Sequence, residues 1–382
     1  MNAALCGPPT VEPGRERGGV ADRLDRWWLR AAELSDLALR TRRSGGQRAA
    51  YRLGDATLEI EADEPATLDS FRQLYSECAV EADATPTATR VRCALRSLDG
   101  SGLTFARFEG AERLDLANLA LPLFQPRADQ AYKLSALGAS GWRVLVGLEP
   151  DAVPVLAARG PCLLADASRL PPFFFRDYLL GAALSVQRDV LFVHAASVSV
   201  NGCGALIVGR AGGGKTTLSL ALAARGHGLL GDDMAAVRTQ SRELLPFRRT
   251  VHIRSGLRDA LVEEAIRRGT VAETSRGGAR RLCAEPRGLF PDAPAHPVRL
   301  GAAFFLRRFS RAPSLEPFVP SLDRIAALKT LPVRWSWGIS AGGRLLRFLV
   351  VIRLLSGVRC WYLDVGRPAE TARLMEAALE DL

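Results

Sequence analysis

The stretch Gly204-Ala205-Leu206-Ile207-Val208-Gly209-Arg210-Ala211-Gly212-Gly213-Gly214-Lys215-Thr216-Thr217-Leu218 decides the fold. Its apolar opening reads as a buried strand. Gly209 to Thr216 fits G-x-x-x-x-G-K-[ST], the pattern of a phosphate-cradling loop. Thr217 to Arg225 is helix-like and closes at Gly226, a plausible C-cap. Strand, glycine loop and helix N-terminus together make an anion site, because backbone N–H groups point inward and the helix dipole favours negative charge. The pattern predicts that Gly209, Gly212, Gly213, Gly214, Lys215, Thr216 and Thr217 hold the phosphates of a nucleotide. Lys215 supplies a point charge for the β- and γ-phosphates, and the Thr216 hydroxyl can ligate Mg²⁺.

Working outward, the returning strand is preceded by Val190-Leu191-Phe192-Val193-His194-Ala195-Ala196-Ser197-Val198-Ser199-Val200, a long strand candidate, and by the hairpin turn Asn201-Gly202. A hairpin directly ahead of a P-loop is unusual, since the common nucleotide-binding folds feed the loop from a crossover. After the loop helix, a short strand ends in Asp232-Asp233. The strand beside a P-loop delivers an acid to Mg²⁺. Two consecutive acids offer two jobs, one on the metal and one taking the proton of an acceptor. His194, taken alone, reads as a satisfied core histidine; near a carboxylate it can orient that group and tune its pKa.

The chain carries a net charge of +10 and has only three lysines, Lys133, Lys215 and Lys329. A lysine kept at 215 in so arginine-rich a chain suits a compact ammonium in a phosphate cradle. The arginines are scattered with few aromatics between them, which argues for a codon-biased surface and against a nucleic-acid footprint. Cysteines at 6, 78, 93, 162, 203, 283 and 360 form no C-x-x-C pair, against zinc ribbons and redox motifs. The N-terminus lacks a signal-peptide apolar run, and Leu345 to Leu355 is broken by Arg347 and Arg353, too short and charged to span a bilayer. The expectation is a cytoplasmic protein without a membrane partner.

Three regions are expected. Residues 1–21 read as a disordered tail, 22–185 as a small α+β domain, and 186–382 as the P-loop α/β domain. In the second region, 22–41 has helical spacing, 47–61 reads as a hairpin, 70–78 as a helix and 89–95 as a strand. Phe173-Phe174-Phe175 marks a break ahead of an apolar helix from Tyr178 to Val186. In the third region, Val298 to Leu306 and Cys360 to Val365 read as buried strands. Pro368 opens a final helix, and Arg307 to Arg311 reads as a solvated strand end.

The order of strand with His194, turn, returning strand, P-loop, Arg225-Gly226-His227 and Asp232-Asp233 resembles the catalytic domain of bacterial HPr kinase/phosphorylase. It resembles more closely the HPr-kinase-like kinases of bacterial gene clusters, some of which phosphorylate peptides. Glu285-Pro286-Arg287-Gly288-Leu289 resembles the family's E-x-R-G-L stretch. The resemblance implies an HPr-kinase-type fold over about 186–382, with ATP as donor and Mg²⁺ as metal. It implies Asp232 as the general base, His194 as the histidine that steers that acid, and Asp233, Thr216 and Glu285 as the metal shell. Arg287 would stabilise charge on the transferring phosphoryl group. The loop carries Arg210-Ala211 where the family often has Asp-Ser or Pro-Ser, and no arginine- and proline-rich phosphorolysis loop is found between Asp233 and Glu285.

The expected activity is therefore kinase-only transfer of the γ-phosphate to a Ser or Thr hydroxyl of a small protein or peptide, with homo-oligomerisation possible. Two alternatives stay open: a kinase acting on a small metabolite, and a nucleotide-responsive binding module with incidental turnover.

Overall fold

A computed structural model describes residues 47–81, 89–97, strands between 132 and 165, most of 176–254, and 259–276, 279–318 and 349–380. The expected tail at 1–21 and helix at 22–41 lie outside the described residues. Among the described residues no helix is long and apolar enough to cross a membrane.

The hairpin expected near residue 47 is present. β1 (Gln47–Leu53) and β2 (Ala56–Ala62) pair antiparallel around Gly54, whose φ of +66° is the left-handed conformation the turn requires. Helix α1 (Ala66–Tyr75) starts earlier than the spacing suggested and tightens into a 3₁₀ turn over Ser76–Cys78. Then follow β3 (Ala79–Val80), β4 (Thr89–Ser97), β5 (Tyr132–Ala136), β6 (Arg143–Gly147), β7 (Pro154–Arg159) and β8 (Cys162–Ala165). Together they form one eight-stranded sheet in the order β3-β1-β2-β4-β8-β7-β6-β5.

The run Val190–Val200 is not one strand. It breaks at His194 into β9 (Val190–Val193) and β10 (Ala195–Val200), which take different partners. β10 pairs antiparallel with β11 (Cys203–Val208), and the tight Asn201-Gly202 turn joins them, both residues at positive φ. β11 enters the glycine loop and helix α2 (Lys215–Ala223). Next come β12 (Gly228–Gly231), β13 (Ala235–Arg238), β14 (Glu243–Leu245), β15 (Val251–Arg254), α3 (Ala260–Arg268), β16 (Val271–Arg276) and β17 (Ala279–Ala284). The chain then runs through the one-turn α4 (Pro286–Leu289), β18 (Val298–Phe309), β19 (Ser314–Pro317), β20 (Arg359–Val365) and α5 (Pro368–Glu380). α5 opens on Pro368, as its fixed φ suits a first helical turn.

The second sheet runs β12-β10-β11-β18-β14-β13-β9, with β20 parallel to β18 and β19 at its side. β11 and β18 are also parallel, so the carboxyl ends of β11, β18 and β20 open on one edge. In open α/β sheets that edge is where ligands bind. The strands here are buried on both faces, which is why they read as unbroken apolar runs. A small third sheet, β15-β17-β16, stands apart from it.

Three buried clusters hold the fold. One covers α2, α5 and a face of β10, β11 and β18. A second covers the opposite face and includes Val351, Leu354 and Leu355, so the apolar stretch near residue 350 is core. The third is shared between the halves: Tyr51, Phe71 and Tyr75 pack with Val190, Phe192, Met234 and Phe247. Aromatic contacts knit it, Tyr75 meeting Phe247 at 6.0 Å between ring centroids and Phe192 meeting Phe247 at 5.8 Å.

Candidate active site

The loop after β11 needs its glycines at two points. Gly212 and Gly214 have φ of +78° and +101°, and Gly214 is the N-cap of α2. Lys215, buried at the first helical position, donates from Nζ to Gly209 O at 2.8 Å and Arg210 O at 3.2 Å. The ammonium is thus folded over the ring of loop amides, where phosphate oxygens sit in such cradles.

β12 delivers the two acids. Gly231, the last residue of β12, is under close packing: a Cβ there would lie 2.4 Å from Met234 O. Asp232 is buried and accepts a hydrogen bond from the Thr216 hydroxyl, while its Oδ1 has no hydrogen-bond partner. Burial pushes its pKa above the usual carboxylate range, and the nearby Arg249, Thr216 and Lys215 offset this only in part. Asp233 has both carboxylate oxygens engaged. His194 Nδ1 lies 3.1 Å from Oδ1 and 2.9 Å from the Asp233 carbonyl, and Arg249 Nη2 donates to Oδ2.

These contacts bear on one expectation. The contacts of His194 described above are to Asp233, the second of the two acids. The break between β9 and β10 turns the imidazole toward the second acid, because β9 runs beside β13, whose first residue follows Asp233 closely.

The structure does not place Glu285 and Arg287 among the residues that line the cleft. Glu285 is exposed at the start of α4, and the Arg287 amide donates to Glu77; neither lines the cleft. The register of β15 and β17 explains this. Arg254 pairs with Arg281 and Val251 with Ala284. His252, Ile253, Arg254 and Arg281 line the cleft, and Glu285 follows Ala284 just beyond the end of β17. Of the expected metal shell, Thr216 and Asp233 line the cleft and Glu285 does not, and among the described residues no group of three or more His, Cys, Asp or Glu could by itself hold a metal ion.

In their place the structure brings arginines that sequence reasoning missed. Arg249 carries the charge that faces both acids, with its Nε hydrogen-bonded to nothing. Burial works against that charge, but Asp233, Tyr75 and Asp232 outweigh it and hold the guanidinium protonated. Its segment is gripped from the first half: Thr250 N donates to Leu74 O at 2.8 Å and Thr250 Oγ1 to Gln73 O at 2.5 Å. Arg248 beside it donates to the Leu229 and Ala293 carbonyls and pairs with Glu77 at 3.5 Å. Arg254 and Arg281, register partners on β15 and β17, reach the cleft from the third sheet, and Arg254 approaches the loop at Gly212. The only local hint of any of this is the pair Arg248-Arg249 after Pro246-Phe247; the alternation of β15 and β17 says nothing about what they face.

The cleft is a cavity of about 940 Å³. The P-loop and the two acids form one wall, β15 and β17 another, and Phe309 with residues 365–369 the third. Its size suits a nucleotide with room for a second substrate group.

Residues 187–256 match the family model of the HPr Serine kinase C-terminal domain. This P-loop region is HPr-kinase-like. A curated HPr kinase/phosphorylase from Chlorobium phaeovibrioides is 39% identical over 98 residues, which is 25% of this chain. The chain spans only 29% of that relative's length. The solved HPr(Ser) kinase/phosphatase from Coxiella burnetii is 15% identical, with a TM-score of 0.26 over 50% of this chain and 94% of that one. The matched segment carries His194, the P-loop, both acids and Arg249, and ends just past β15. Residues 285–289 lie beyond it.

The residues of the HPr-kinase-like cleft fit a magnesium ion. Mg²⁺ in phosphoryl-transfer sites takes one or two carboxylates or hydroxyls, with substrate phosphates and water completing an octahedron. The Thr216 hydroxyl, hydrogen-bonded to Asp232 at the start of α2, is such a donor. Asp233 is a poor one, because His194 and Arg249 already hold its oxygens.

Proposed function

We propose that this protein is a kinase that transfers the γ-phosphate of ATP to a Ser or Thr hydroxyl of a small protein or peptide. The observation that carries the reading is the orphaned Oδ1 of Asp232, held in the cleft beside the P-loop with its pKa raised. A buried carboxylate with one free oxygen and weakened acidity is suited to take a proton.

In the proposed step the acceptor oxygen attacks the γ-phosphorus. The bond from that phosphorus to the β,γ-bridging oxygen breaks, ADP leaves, and the acceptor proton passes to Asp232. Gly209 to Thr217 hold the triphosphate through backbone N–H groups, and Lys215 neutralises its terminal charge. Mg²⁺, when bound, would supply Lewis-acid neutralisation of charge at the phosphates. Thr216 would hold it, leaving the free Oδ1 of Asp232 for the acceptor proton. Arg249, not Arg287, supplies the guanidinium nearest the two acids. His194 acts as a positioning residue: with Arg249 it pins Asp233, which in turn keeps its neighbour Asp232 in place. Phosphoryl transfer is mostly positioning and electrostatics, and these groups supply both.

Kinase-only action is the finer part of the proposal. Its support is that the sequence between Asp233 and Glu285 lacks the arginine- and proline-rich stretch that the resemblance ties to phosphorolysis. The first half, 22–185, would present the acceptor, and the shared aromatic core supports a fixed placement of α1 against the catalytic half.

The test uses γ-labelled ATP with Mg²⁺ and a peptide-containing extract, comparing wild type with Lys215→Ala and His194→Ala. Label should reach a small protein or peptide with wild type, vanish with Lys215→Ala and fall strongly with His194→Ala. Tight ATP binding without any transfer in wild type would overturn the kinase reading.

A further inference from the structure

We propose that Phe309, with Val365 and the Gly366-Arg367 turn, forms the seat for the aromatic base of a nucleoside triphosphate whose phosphates lie in the P-loop. The proposal deepens the kinase reading and rests on it for the identity of the ligand.

Phe309 ends β18, the strand beside the P-loop strand, and is register partner of Val365, the end of β20. Ser310 N donates to Val365 O at 2.8 Å, which ties the two strand ends together. Parallel register partners point to the same face, and here that face is the loop: a Cβ placed on Gly214 would lie 3.7 Å from Phe309 and 3.8 Å from Val365. Gly214 is therefore flanked by an aromatic ring and an isopropyl group just where the phosphate cradle passes into α2. Both strand ends lie on the carboxyl edge of the parallel strands, the edge at which α/β sheets bind nucleotides.

The neighbours of Phe309 are otherwise committed. Arg307 and Arg308 are tied to Asp364, and Arg307 also to Glu316. Phe309 belongs to none of the three buried clusters and is 66% exposed. A single exposed Phe is ordinary on a protein surface. One that lines the cleft, close enough to touch a side chain placed at the P-loop's Gly214, is a ready stacking platform. Arg367 lines the same wall; it is exposed and held loosely by Glu370 at 3.8 Å, which leaves its guanidinium able to lie over a bound base. The amide of Gly366 already donates to Thr371 Oγ1 at 3.0 Å. The seat thus holds a base by its face, and phosphate affinity comes from the loop.

The experiment measures binding of ATP and of inorganic tripolyphosphate, each with Mg²⁺, by calorimetry. Wild type, Phe309→Ala, Phe309→Trp and Lys215→Ala are compared. Loss of a base–aromatic stack should weaken ATP about tenfold or more. Phe309→Ala is expected to show that loss while binding tripolyphosphate as wild type does. Phe309→Trp should restore ATP affinity and show indole quenching with ATP but not with tripolyphosphate. Lys215→Ala should lose both ligands. Equal ATP binding by Phe309→Ala and wild type overturns the inference, as does equal loss of ATP and tripolyphosphate. Failure of the kinase reading looks different: ATP still binds through Phe309, but no label is transferred.

Discussion

Asp232→Asn should inactivate the protein and make it more stable. Asp232 is buried, its Oδ1 has no partner, and its pKa is raised because burial outweighs the help of Arg249, Thr216 and Lys215. A raised folded-state pKa means that the folded protein holds the proton more tightly than the unfolded chain. The stability this contributes is present below the ordinary value of 3.8 and is lost as pH rises through the folded value. At neutral pH the ionised side chain is therefore a net cost. A buried acceptor without a partner costs about 1–3 kcal/mol. Asparagine keeps the shape and the acceptor for Thr216 but removes the charge, so recovery of about 1 kcal/mol is expected. For a domain of this size that is a rise in Tm of about 2 °C. The assay is thermal unfolding of both proteins from about pH 4 to pH 8, beside γ-phosphate transfer. The Tm gap should open as pH rises from about 4 and stay open at pH 8, with transfer abolished throughout. A variant less stable than wild type at pH 8 would refute the reasoning, since the carboxylate would then be a net stabilising partner of Arg249 and Lys215. A variant that still transfers phosphate would remove Asp232 as the base.

Two further outcomes follow from the placement of residues around the cleft. Glu285→Gln and Arg287→Ala should leave ATP affinity and phosphate transfer within about twofold of wild type, as for ordinary surface changes; a loss of Mg²⁺-dependent activity in either would put them back in the site. Thr250→Val removes the hydroxyl bond to Gln73 O that anchors the segment carrying Arg249. It should cost about 1 kcal/mol in denaturant unfolding and lower transfer without changing tripolyphosphate binding. Unchanged transfer would show that the grip of α1 on this segment does not reach the chemistry.

The parts of this protein legible in its sequence are those where one short stretch determines its own geometry. Gly209 to Thr216 needs no distant partner to form a cradle: the left-handed glycines, the lysine and the helix start are consecutive. Asn201-Gly202 likewise dictates a tight hairpin, and Pro368 a helix start. Largely apolar runs identified β11, β18 and β20, because the strands at the centre of the second sheet bury most of their residues.

What only the tertiary structure decided was which of these pieces face one another. The unbroken apolar run from Val190 to Val200 hid the break at His194, since both resulting strands are buried and composition does not register a change of partner. That break gives the histidine to Asp233. Glu285 and Arg287 looked like site residues by motif, but a strand register set by pairing across 30 residues puts them at the far end of β17. Arg249 and Phe309 carried no motif at all. Their positions come from long-range packing, one through α1 and the other through the parallel alignment of β18 with β20. Local sequence specifies local dihedrals and periodicity. Contacts between residues far apart in the chain depend on how whole elements bury their apolar faces together, and that is settled only in the folded molecule.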